Sequence, residues 1–174
     1  QLMAVPPNQI NIGGDVYCGK PYPTLEGLRA DNNTPYWSKA TSPGNNLELF
    51  RNGYIEFAAL LRKDSFASIY DSAYIVNFIK FIEMIYGNHL PLTPIVVNCV
   101  IYNSKNMWLA RGQAEDQRLV TWQEQHLDLG KFYIENLAQE AQMLPRTICD
   151  RLFQAFHLDD SASIFDDKGN LKRG

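Results

Sequence analysis

Between Ser68 and Tyr86 apolar residues return every three or four positions: Ile75, Phe78, Ile79, Ile82 and Ile85. Val76, Phe81 and Tyr86 widen that stripe. The spacing predicts a helix over 68–86. Ser68 or Asp71 can cap its start, Gly87 can take the left-handed turn at its end, and Pro91 and Pro94 block continuation. So broad an apolar face predicts cover on more than one side, by a sheet and by the N-terminal segment.

A change of period follows. Ile95 to Tyr102 is a β-branched run that predicts a central strand. Asn103–Asn106 forms a turn into a short strand over Met107–Ala110, and the polar stretch 111–126 is a loop or short helix. Leu127–Glu135 alternates as another strand. Pro145 suits a first helical turn, and Ile148, Leu152, Ala155 and Phe156 line one face of a helix to about His157. From Asp159 the chain is polar, with a turn at Asp166–Asn170 and a frayed end.

Before the helix, Leu47–Phe57 predicts two strands. Leu47 and Leu49 alternate with Glu48 and Phe50, and Ile55 and Phe57 with Tyr54 and Glu56. Asn52-Gly53 between them predicts a type I′ hairpin turn, and a bulge within one longer strand is the alternative. Residues 1–46 are punctuated by Pro, Gly and Asn, which predicts an extended arm anchored by Ile10, Ile12, Val16, Tyr17, Tyr36 and Trp37. The organisation is thus an arm over 1–46, an α+β domain over 47–158 and a polar tail over 159–174. Short hairpin connections favour an antiparallel sheet of about five strands with helices packed on it. That element order is similar to the profilin-like group shared by roadblock, PAS and GAF domains.

Composition narrows the functional classes. A chain of 174 residues with 45% hydrophobic residues can form a core without staples. Net charge −3 with dispersed Lys and Arg argues against tight nucleic-acid binding by this chain alone. Cys18, Cys99 and Cys149 are odd in number and widely spaced, which favours reduced thiols in the cytoplasm. No stretch approaches the roughly 18 uninterrupted apolar residues of a membrane span. The opening at Gln1, running into Pro6-Pro7-Asn8, suggests the interior of a longer protein.

The segment Leu49-Phe50-Arg51-Asn52-Gly53-Tyr54-Ile55-Glu56 carries a family likeness. With Pro94–Tyr102, Met107–Ala110 and Phe165–Leu171, it resembles the C-terminal region of bacterial and archaeal proteins that begin with a Schlafen-type AlbA domain, predicted transcriptional regulators or ATP-binding proteins with a helix-turn-helix. The likeness spans about residues 47 to 171. It implies a regulatory or interaction module without catalytic residues or cofactor, mediating dimerisation, domain contact or ligand sensing. It also implies partners: an N-terminal AlbA-type domain, further copies of the chain, and nucleic acid reached through that other domain rather than through this one.

Candidate residues follow from both readings. Arg51, Asn52, Gly53 and Glu56 of the signature, and Trp108, are the candidate interaction residues. Arg51 and Glu56 also suit a plain cross-strand ion pair. Tyr102, Trp108, Trp122 and Tyr133 could line a pocket or simply pack. The enzymatic alternative uses Cys99 as nucleophile with His126 or His89 as base, although a cysteine in a β-branched run usually behaves as a small hydrophobe. His89, His126 and His157 lack metal-ligand spacing. Asp128, Asp150, Glu135 and Glu140 form no acid/base pair by spacing, and Gly13-Gly14 lacks the features of a phosphate loop. A basic face from Lys39, Arg51, Arg111, Arg118 and Lys131 is the nucleic-acid alternative.

Overall fold

The computed structural model describes residues 10–13, 16–18, 22–31, 45–51, 54–59, 65–89, 94–110 and 120–172. The chain divides into two units, Gln1–Leu61 and Arg62–Gly174. Among the described residues the first unit holds strands alone and the second combines helices with strands, and antiparallel pairing predominates in both.

The first unit is built from strands β1 (Ile10–Gly13), β2 (Val16–Cys18), β3 (Tyr22–Pro23), β4 (Gly27–Asp31), β5 (Asn45–Phe50) and β6 (Ile55–Ala59). β1 pairs with β2, and β3-β4-β5-β6 form an antiparallel four-stranded sheet. The signature segment is therefore a hairpin, with Leu49 opposite Ile55 and Leu47 opposite Phe57. The Phe50 N–H donates to the Tyr54 carbonyl (2.8 Å), so the connection is longer than the expected two-residue turn. Asn52 and Gly53 themselves lie outside the described residues. Part of the expected arm is sheet: β4 adds to β5 through Ala30 opposite Leu47 and Arg29 opposite Glu48. Period-two alternation then puts Leu28, Ala30, Leu47, Leu49, Ile55 and Phe57 on one face, with Ala30 and Leu47 fully buried.

The second unit contains β7 (Ser65–Ala67), α1 (Ser68–His89), β8 (Ile95–Tyr102), β9 (Trp108–Ala110), β10 (His126–Ile134), α2 (Leu137–Glu140) and α3 (Leu144–Ala155). α1 continues through the expected stop at Gly87. α2, which periodicity did not predict, is capped by Asn136, whose side chain accepts from the Gln139 N–H. The Glu140 carboxylate reaches back to the N–H groups of Glu135 and Asn136. α3 carries Pro145 in its first turn and buries Ile148, Cys149, Leu152 and Phe153. It ends in a Schellman-type stop, with the Leu158 N–H on the Phe153 carbonyl and His157 at φ 59.

Two strand expectations need correction. β8 is not central: among the described residues it pairs with β10 alone. β9 does not return alongside β8 but runs parallel to β7, with Ser65 opposite Trp108. The left-handed residues Asn103 (φ 55) and Asn106 (φ 66) turn the chain out of the β8 ladder before Trp108. Among the described residues, a four-stranded sheet and three strand pairs stand in place of one sheet of about five strands.

α3 packs on β10 and α1 packs on α3, so the inward face of the β8–β10 hairpin is covered. Val97, Leu127, Leu129, Phe132 and Ile134 are buried there. The expected frayed tail is packed as well. Ser161 is fully buried, with its N–H and hydroxyl both donating to the Asp150 carboxylate (2.7 and 2.6 Å), and Ile164 and Phe165 join the core. The predicted turn is present, the Asp166 carboxylate accepting from the N–H groups of Lys168 and Asn170. Those donors, Asn170 first, hold its pKa below the usual carboxylate value.

Candidate interaction surface

The outward face of the β8–β10 hairpin is the most unusual surface of the second unit. Strand alternation sends Val96, Asn98 and Tyr102 outward from β8, opposite Tyr133, Lys131 and His126 of β10. Val96 is 51% exposed, Tyr102 68% and Tyr133 70%. Val96 and Tyr133 are direct cross-strand partners, and the Tyr102 ring meets the His126 imidazole edge-on at 5.1 Å. Covering an aromatic and a β-branched side chain would be favourable here, yet the fold leaves both in water.

A bulge in β10 sets this face. The register shifts between Asp128 and Gly130, leaving Leu129 as the extra residue. The Asp128 carboxylate accepts from the Gly130 N–H (2.8 Å), and Gly130 sits at φ +93. The Arg151 guanidinium fills the space where a Cβ on residue 130 would lie. From there it donates to the Leu129 carbonyl (2.9 Å) and stacks 4.5 Å from the centroid of Phe132. The positive φ favours glycine at 130, and a Cβ there would make the end of the Arg151 side chain move aside. In the sequence Gly130 is a lone glycine inside an alternating run, the usual mark of a bulge.

The candidate residues picked out by the sequence fall in both units. Arg51 is exposed beside the β5–β6 turn, and its N–H donates to the Glu26 carbonyl (2.8 Å). Glu56 lies opposite Glu48, so the register does not make it Arg51's cross-strand partner. Arg29 stands on the other side of Glu48, giving a charged row across the sheet. Trp108 is half-buried within β9 and bridged to Thr121. Trp122 packs near Phe156 and donates from its indole to the His126 carbonyl (3.0 Å). Lys39, Arg111 and Arg118 of the basic-face alternative lie outside the described residues, as does Gly14.

Cys99 and His126 do not meet. His126 belongs to the outward set, whereas Cys99 opposes Gly130 on the inward side. Burial, then the nearby Asp128 charge, pushes the Cys99 thiol up to about 11. Cys149 is pushed up to about 12, chiefly by burial. The fully buried Ser72 hydroxyl opposes that shift from beside the Cys149 sulfur without reaching full hydrogen-bond geometry. Both groups are neutral thiols near pH 7, which is the poorly nucleophilic form.

Among the described residues no three His, Cys, Asp or Glu side chains gather as a metal site, and no helix is long and apolar enough to cross a membrane. No family model, curated protein or solved structure matches the chain.

Proposed function

We propose that this chain is a non-enzymatic interaction module that docks a partner on the outward face of the β8–β10 hairpin. The observation that supports it is the exposure of Val96, Tyr102 and Tyr133 on one face of a strand pair whose other face packs toward α3. Sequestering two tyrosines and a valine contributes on the order of a few kcal/mol, enough to matter in an association. The likeness of the signature segment to AlbA-domain regulators supplies a context: a cytoplasmic, DNA-associated protein in which the module mediates self-association or contact with an AlbA-type domain.

Light scattering over a concentration series, alone and with a separately produced AlbA-type domain, tests this. A mass above the monomer, or a mixed complex, is expected. A strict monomer that ignores the added domain overturns the proposal.

A further inference from the structure

We infer that the edge of β8 turned away from β10 pairs antiparallel with β8 of a second copy, a proposal that rests on the interaction reading above and names its partner. An edge strand turns every second N–H and C=O away from its one neighbour, and proteins usually blunt such edges with bulges, prolines or charges. The two strands of this hairpin differ sharply in that respect. β10 is blunted: Leu129 is bulged, its carbonyl is taken by Arg151, and Asp128 and Lys131 add charge. β8 carries none of these devices. Its eight residues, Ile95-Val96-Val97-Asn98-Cys99-Val100-Ile101-Tyr102, include no proline and no charge. Its own register is unbroken, and among the described residues its ladder runs to β10 alone.

The strand's chemistry favours a second copy as occupant. An uncharged edge offers nothing that selects a charged partner strand. Self-pairing about a twofold axis, by contrast, opposes outward residues only with outward residues. Centred on Cys99, it sets Val96 opposite the partner's Tyr102 at both ends and Asn98 opposite the partner's Val100. Aromatic with β-branched is among the favourable cross-strand pairings. Two marginal two-stranded hairpins then become one four-stranded sheet, β10-β8-β8-β10, with the exposed tyrosines on a continuous face.

Residue-resolved amide exchange on the whole chain, at low and high concentration with light scattering in parallel, tests the pairing. At low concentration only alternate β8 amides, those bonded to β10, should be protected. In the dimer the remaining β8 amides should slow by at least about tenfold. Val100→Lys, which places an ammonium opposite Asp128 within the same hairpin, should abolish that added protection while the β10-bonded amides stay protected. A dimer with unchanged edge amides overturns β8 pairing and leaves the interaction reading standing. Edge amides already protected in the monomer overturn it too, since another part of the chain then covers the edge. A monomer at every concentration also overturns it, and only failure to bind the AlbA-type domain as well removes the broader reading.

Discussion

The β5–β6 and β8–β10 hairpins obey the same period-two rule and spend it differently. In the first unit β4 and β3 extend the sheet, and the face opposite the apolar one carries the row Arg29, Glu48 and Glu56. Glu56 is exposed there, while Arg29 and Glu48 are half-buried, so this face presents charge rather than apolar surface. In the second unit the hairpin gains no further strand among the described residues, and its corresponding face carries Val96, Tyr102 and Tyr133. That exposed apolar area is the surface the proposed docking would cover.

The largest expected effects come from breaking the inward cover that makes the two faces differ. Phe153→Ala in α3, a fully buried position, should cost about 3–5 kcal/mol in denaturant unfolding, and Leu47→Ala in the first sheet about 2–5 kcal/mol. Gly130→Ala should cost about 1–3 kcal/mol, chiefly through the left-handed φ, with a smaller part from displacing the end of Arg151. Pairing it with Arg151→Ala should relieve the clash and leave the backbone cost. A pH series probes the same interior. Folded Cys99 and Cys149 release protons at about 11 and 12 against an ordinary 9.0. Their stabilisation is therefore complete below that ordinary value and is lost as pH rises toward the folded values. The unfolding midpoint should fall over that range, and Cys149→Ala should flatten the slope.

How legible this was depended on whether a feature is local. β8 is visible in the sequence residue for residue, because seven apolar or β-branched positions of the eight between Pro94 and Asn103 admit little else. α1 and α3 follow from their stripes, though Gly87 did not stop α1. Pairing was not legible. Nothing local tells β9 to join β7 in parallel, and the prolines around β3 and β4 disguise two strands as an arm. The surface was half visible: Tyr102 and Tyr133 stand out by type, but Val96 looks like core until the register shows which parity faces α3. Cys99 and His126 separate only once the Gly130 bulge fixes the faces. Arg51 and Glu56 stand out in the sequence only by likeness to a family phrase, which carries no information about register.

The most direct measurement is light scattering of Tyr133→Lys beside Glu56→Lys, one charge placed on each outward hairpin face. Both substitutions are at exposed positions and should change folding stability by no more than about 0.5 kcal/mol. We expect Tyr133→Lys to shift the chain or its mixed complex to lower mass while Glu56→Lys behaves as the parent. Equal behaviour of the two variants, both associating like the parent, would show that the β8–β10 face binds nothing.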